Sequence, residues 1–286
     1  MPGYHLPLFA ADATGIWERH GLDVELVDPF PGPDNAKAVA AGRYDACLTS
    51  VAHYARARHE EPELAARFVF MVARRPHIAA FFVEGRPAEH GRPISDFADL
   101  AGASFVGETQ SPFVRDYLAI LRRLGIEPGR PVPLPYEHQF AALAAGEADV
   151  GIDFLDLRPR FDAAARSDQR IGALPFHRAG VELYGSGLVV SDRLLAERPE
   201  TVQGLTAALR DALLATRDEP ALGLEPLLAR FPETDPARAL AGWEAGAELV
   251  FGDEIGTMDA ATWRQTLAHH GLDLEPDEVA DLGVLV

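Results

Sequence analysis

One cysteine, Cys47, stands in the 286 residues, so no intrachain disulfide can form and the redox compartment is left open. Lysine is as scarce: Lys37 is the only one, arginine carries the rest of the positive charge, and no arginine cluster builds a basic stripe. With a formal net charge of −18 the chain is a poor partner for nucleic acid and for anionic membrane surfaces. No apolar run is long enough to span a bilayer. The opening Met1-Pro2-Gly3-Tyr4-His5 offers neither the basic n-region nor the apolar h-region of an export signal. Low-complexity sequence is absent as well. What is present suits a globular protein: 48 % of the residues are apolar, enough for real cores, and the length fits two lobes.

The most informative positive feature is a repeated pattern, Ala-Ala-Gly-x-x-Asp. It occurs at Ala40-Ala41-Gly42-Arg43-Tyr44-Asp45 and again, 104 positions later, at Ala144-Ala145-Gly146-Glu147-Ala148-Asp149. Each copy closes an Ala-rich helix, turns on a glycine suited to positive φ, and enters an apolar strand, Ala46-Cys47-Leu48 or Val150-Gly151-Ile152. That spacing is too wide for a solenoid and suits two similar α/β lobes, with a ligand cleft expected between them.

Periodicity fills in the rest. Leu8, Phe9, Ala13, Ile16 and Trp17 predict one helix stopping at Gly21, and residues 22–27 alternate as a strand. Ser50 is placed to cap a helix towards Arg58, and Ser111-Pro112 to open another over residues 113–124. The apolar runs 68–72 and 78–83 suit strands buried on both faces. A polar, Gly- and Pro-containing stretch at 84–93 marks a boundary, residues 187–190 form a strand returning to the first lobe, and everything after Asp192 is helical. The expected division is a first lobe of residues 1–85 with 188–286 and an inserted second lobe of 90–185, with crossovers near 78–93 and 181–191.

At this point the chain resembles the type II periplasmic binding proteins, in the branch serving sulfonate, nitrate and thiamine-precursor importers, which also contains the thiamine-pyrimidine synthase. The residues that carry the likeness are His5-Leu6-Pro7-Leu8-Phe9-Ala10, Gly15-Ile16-Trp17, Gly21-Leu22-Asp23-Val24-Glu25-Leu26-Val27, the two Ala-Gly-x-x-Asp turns, and the run from Ile94 through Gly102. The resemblance implies an α/β, two-lobed type II periplasmic-binding-protein fold with a helical C-terminal segment on the first lobe. It also implies a strand ahead of His5, for which Met1 to Tyr4 are too few residues. The expectation is therefore a lost N-terminal segment carrying that strand and an export signal, hence an extracytoplasmic protein. If Met1 is the true start, the protein is cytoplasmic. The synthase's paired lysine and histidine would fall at Thr49 and His53, so only the histidine is kept, and its cysteine-rich motif is missing. The desulfinase branch's catalytic cysteine has no counterpart among Pro2, Gly3 and Tyr4.

In open α/β sheets the C-terminal strand ends and the following helix N-termini face the ligand. Thr49 and Ser50 hold that position in the first lobe, and Glu108, Thr109, Gln110 and Ser111 in the second. Their helix N-termini suit a carboxylate, sulfonate or phosphate, while both serines equally suit plain capping. Asp153 and Glu108 would favour an amine, amidine or aminopyrimidine, or else stand as solvated rim charges. Phe9, Tyr136, Phe154 and Tyr184 offer rings for stacking on a heterocycle, or for the core. His5 and His53 are placed to hydrogen-bond a ligand or move a proton, although a structural role fits His53 better without its lysine. Cys47 lacks a basic neighbour and is expected to be inert. His269 and His270 end the last helix with no Asp or Cys ligands beside them, so no metal and no cofactor are expected.

Two readings follow. The first is the substrate-binding component of an ABC importer, with an ABC permease as partner and a small molecule as ligand. The favoured ligand is a thiamine-pyrimidine-like nitrogen heterocycle, and a sulfonate or other small organic anion comes next. Its site would draw on His5, Phe9, Thr49, Ser50, His53, Glu108, Thr109, Gln110, Ser111, Asp153 and Tyr184, with no catalytic residue. The alternative is a cytoplasmic enzyme on the same fold, acting on a small heterocycle or aromatic acid with His5 or His53 as acid/base.

Overall fold

A computed structural model describes residues 5–28, 32–107, 111–251 and 255–284 of the chain. Two units emerge: unit 1 from Met1–Arg75 with Glu182–Val286, and unit 2 from Pro76–Val181. Unit 1 begins with α1 (Leu6–Ala13), α2 (Ile16–Arg19), α3 (Asp34–Ala40), β1 (Ala46–Ser50), α4 (Val51–Glu60) and β2 (Ala66–Ala73). Unit 2 contains β3 (Ile78–Val83), β4 (Phe105–Val106), α5 (Pro112–Arg123), β5 (Pro131–Val132), α6 (Gln139–Ala145), β6 (Gly151–Phe154), α7 (Arg158–Ala164) and β7 (Ile171–Pro175). The chain then returns to unit 1 with β8 (Ser186–Ser191), α8 (Asp192–Glu197), α9 (Pro199–Asp218), α10 (Ala221–Arg230), α11 (Pro236–Val250) and α12 (Ala260–His269).

Both copies of the repeated pattern form the turn their glycines allow. Gly42 and Gly146 take φ of 70° and 85°, a region closed to most side chains. Behind them Arg43 N–H donates to Ala38 O at 2.9 Å and Glu147 N–H to Ala142 O at 3.0 Å, the six-to-one bond of a Schellman ending. The second copy is tied down further. The Asp149 carboxylate accepts from the Ser104 N–H and hydroxyl at 2.9 and 2.8 Å, and from Glu89 N–H at 3.1 Å.

In unit 1, β8 lies between β1 and β2 and runs antiparallel to both. In unit 2, β3 lies between β6 and β7, again antiparallel to each, while β4 pairs in parallel with β5 and bridges to Val150. Unit 1 packs one core around Phe68, Tyr54 and Trp263 and another around Phe9, Phe70 and Trp243. In unit 2, Phe161 stacks on Phe81 at 4.2 Å and meets Phe140 edge-on at 4.7 Å.

Three expectations change. Residues 22–27 form no strand: among the described residues nothing runs beside them as a ladder partner. Their alternation serves packing instead, with Leu22 buried against Ala208 and Ala212 of α9 and the Leu26 carbonyl accepting from Arg230 Nη1 at 2.5 Å. The single N-terminal helix is two, because Thr14 and Gly15 break it and Gly15 sits at φ 66°. Residues 78–83, expected within the first lobe's share, are the central strand of unit 2, since both neighbours that satisfy their backbone belong to that unit.

α10 crosses α1 closely at Gly223, where a Cβ would overlap the Leu6 carbonyl oxygen, a backbone atom unable to yield. Gly223→Ala is expected to cost about 1–3 kcal/mol of stability through overpacking, despite alanine's better helix propensity. Urea denaturation checks it, and a variant as stable as the parent would show that the two helices can part freely.

Candidate functional site

The end of β1 and the start of α4 form one polar group in unit 1. Ser50 is the N-cap of α4, its hydroxyl accepting from His53 N–H at 3.2 Å, so the expected cap is formed. Val51 N–H donates to Gly185 O at 2.8 Å, which fastens the helix start to the chain just before β8. In register, Thr49 faces Gly187 and Ser50 faces the buried Ser186. Thr49 is only 6 % exposed. His53 is half-buried in the first turn of α4, its ring next to Gly32. Burial pushes the Cys47 thiol up to about 12, so it carries no thiolate at neutral pH.

Other candidates of unit 1 are placed differently. His5 is the half-buried N-cap residue of α1, with helical backbone and no capping bond from its side chain. Phe9 is a core residue, buried with its ring edge-on to Phe231 at 6.2 Å. Tyr184 is 3 % exposed and its hydroxyl is occupied, donating to Asp259 Oδ2 at 3.0 Å and accepting from Asp259 N–H at 2.7 Å. It secures the N-terminus of α12, with burial pushing the phenol up to about 12. Apolar neighbours and a saturated hydroxyl thus turn both rings inward.

In unit 2 the group is at the end of β6. Glu108, Thr109 and Gln110 lie outside the described residues, and Ser111 stands at the N-cap of α5 without a capping bond from its side chain. Asp153 has no exposed surface: Oδ2 accepts from Gln139 Nε2 at 2.7 Å and Oδ1 from Phe154 N–H at 2.8 Å. Gln139 is itself buried, at the first position of α6. Three residues beyond Asp153, in the 3-10 turn Leu155–Leu157, stands Asp156. Burial and then the charge of Asp153 push its carboxyl up to about 7, against smaller opposing pulls from a backbone hydrogen bond and then Arg160. Between the two acids, half-buried Phe154 stacks on the His77 imidazole at 4.1 Å and meets Phe113 edge-on at 4.6 Å. Tyr136 opens the 3-10 turn that leads into α6.

Sequence reasoning missed Gln139, Asp156, His77 and Phe113. A signal existed for Asp156, whose spacing from Asp153 puts it in the turn after a strand end. None existed for Gln139, which owes its role to a side chain fourteen residues away in sequence. Chemically, this group offers a ring face, a fixed carboxylate and a second carboxyl able to be acid or base near neutrality. The unit 1 group offers a hydroxyl beside a helix N-terminus.

The family described as NMT1/THI5 like matches residues 3–222. The 4-amino-5-hydroxymethyl-2-methylpyrimidine phosphate synthase of Schizosaccharomyces pombe is 25 % identical over 239 residues, 76 % of this chain and 63 % of that protein. The chain thus spans less than two thirds of this curated relative's length. Among solved structures, the periplasmic aliphatic sulphonate binding protein SsuA of Escherichia coli superposes with a TM-score of 0.73 at 15 % identity, covering 93 % of this chain and 82 % of that one. The alkanesulfonate-binding protein SsuA of Xanthomonas axonopodis pv. citri, bound to MOPS, gives a TM-score of 0.67 at 16 % identity, covering 98 % and 96 %. These likenesses establish the periplasmic-binding-protein fold.

Replacing Gln139 by leucine removes the donor that holds the Asp153 carboxylate. The expected loss is about 2 kcal/mol, the scale of a hydrogen bond to a buried charged group. Urea titration of Gln139→Leu measures it, and an unchanged midpoint would mean that Asp153 does not depend on that bond.

Proposed function

This chain belongs to the NMT1/THI5-like family, and we propose that it is the substrate-binding component of an ABC importer, delivering a small molecule to a permease. The importer-type proteins among its structural neighbours support the class. The ligand we favour is a flat nitrogen heterocycle of the thiamine-pyrimidine kind, with a small sulfonate or related anion second. The observation that carries this choice is the end of β6, where the half-buried Phe154 ring, stacked on His77, is followed two residues later by the Asp156 carboxyl. A heterocycle with ring nitrogens and an exocyclic amine can stack on such a ring and hydrogen-bond the Asp156 carboxyl. An anionic ligand would instead call on the Thr49 hydroxyl and the N-terminus of α4.

One observation favours a second reading, an enzyme on this fold: the 25 % identity to a pyrimidine phosphate synthase. Against it stand Thr49, which cannot form an imine with a carbonyl compound, and Cys47, whose thiol is held near 12.

A thermal-shift panel of aminopyrimidines, alkanesulfonates and aromatic acids separates the readings. At 100 times its dissociation constant a true ligand stabilises the fold by about 2.7 kcal/mol, and an aminopyrimidine is expected to do so. Phe154→Ala should weaken that ligand by about tenfold, the loss of roughly 1.4 kcal/mol of stacking and burial. A panel that leaves the melting point unmoved would sink the receptor reading. Conversion of the hit to a new mass over hours would move the protein to the enzyme class.

A further inference from the structure

The chain enters unit 2 at Pro76, and the next residue, His77, is held twice by the end of β6. Its carbonyl accepts from Leu155 N–H at 2.8 Å, and its ring lies on Phe154, with centroids 4.1 Å apart and planes 23° apart. Both contacts come from the residues immediately before Asp156, in and beside the 3-10 turn Leu155–Leu157. We propose that this turn is a pH-sensitive clamp on the segment by which the chain enters unit 2, with Asp156 as its titrating group.

The charged and titratable groups around Asp156 come from three elements. From β6, Asp153 keeps its carboxylate fixed by Gln139 and repels a second negative charge. From α7, Arg160 attracts it weakly, while Arg158 is turned away to the Ile171 carbonyl at 3.0 Å and to Asp162 at 3.6 Å. Ahead of β3 stands the His77 imidazole on Phe154, and α5 brings the uncharged ring of Phe113 to the same ring. Burial, and then the charge of Asp153, outweigh a backbone hydrogen bond and Arg160, and push the carboxyl up to about 7.

The direction of the effect follows from linkage. When the turn opens to water, the Asp156 carboxyl returns to about 3.9, its ordinary value. Closing therefore takes up a proton between about pH 4 and pH 7, and across that window rising pH weakens the clamp. Below it both states are protonated, and above it both are ionised, so the clamp is strongest in mild acid and reaches a constant, weaker level above neutrality.

Hydrogen–deuterium exchange on the full chain, corrected for intrinsic exchange rates, reads the clamp directly. The protection of the Leu155 amide should fall by up to about tenfold per pH unit between pH 5 and 7 and then level off. In Asp156→Asn, which is isosteric and cannot ionise, it should stay flat. Flat protection in the parent chain, or the same slope in the variant, overturns the proposal. Should the variant not fold, carbon NMR of the Asp156 carboxyl in the parent chain decides: titration near 7 supports the clamp, and titration near 4 removes its cause.

Discussion

Strand β8 is the constraint on which unit 1 rests. It is buried along its length, has β1 on one side and β2 on the other, and is reached only after the chain has run through unit 2. Its register is fixed where Gly187 faces β2, because a Cβ there would overlap the Phe70 carbonyl oxygen. β2 answers with two register shifts, between Phe68 and Phe70 and between Met71 and Ala73. The flanks of β8 then set their neighbours. Gly185 donates to Ala73 O and accepts from Val51 N–H, Ser191 caps α8, and Asp192 forms a two-point ion pair with Arg67 on β2. The position of Thr49 and Ser50 at the start of α4 is thus decided by a strand more than 130 residues downstream. Closing so long a loop costs only logarithmically more than closing a short one, which makes the arrangement affordable in free energy although slow to assemble.

Unit 2 shows how burial creates chemistry from ordinary residues. Two aspartates three apart would both be ionised in water. At the end of β6, one is satisfied by Gln139 and a backbone amide, while the other is left among groups that resist its charge. The outcome is a carboxyl pushed up to about 7 three residues from one held by hydrogen bonds, the kind of contrast by which proteins draw different chemistry from one residue type. Phe154, held by His77 and Phe113, adds a flat apolar ring at this end of the strand.

Beyond the family-matched residues, the C-terminal part of the chain completes unit 1. Trp263 of α12 packs on Phe68 at 5.2 Å, and residues 279–281 bracket Phe68, accepting its N–H through the Val279 carbonyl and donating Asp281 N–H to its carbonyl, both at 2.8 Å. Farther along β2, Met71 N–H donates to Gly256 O at 2.9 Å. Backbone groups on the outer edge of β2 that would otherwise invite another strand are thereby paired. Glycine is required at 256, where φ is 87° and a Cβ would collide with the Phe70 ring.

What the sequence determined by itself are the features whose physics acts within a few residues. The two glycine turns, the Ser50 cap, the buried apolar runs and the helical character beyond Asp192 were all legible, because a positive φ, a side-chain oxygen at an N-cap and a hydrophobic period need no distant partner. Of the candidate site, the strand-end positions of Thr49, Ser50 and Asp153 were legible in the same way. Tertiary structure decided the rest. Residues 22–27 carry a strand's alternation but have no ladder partner among the described residues, and a strand exists only where another backbone runs beside it. Residues 78–83 belong to unit 2 because their hydrogen bonds lead there. Tyr184 hydrogen-bonds Asp259, Gln139 reaches Asp153, and the Asp156 carboxyl is pushed up to about 7. Pairing, partner and protonation state are properties of an environment, and that environment is assembled from residues far apart in the chain, beyond the reach of any local pattern.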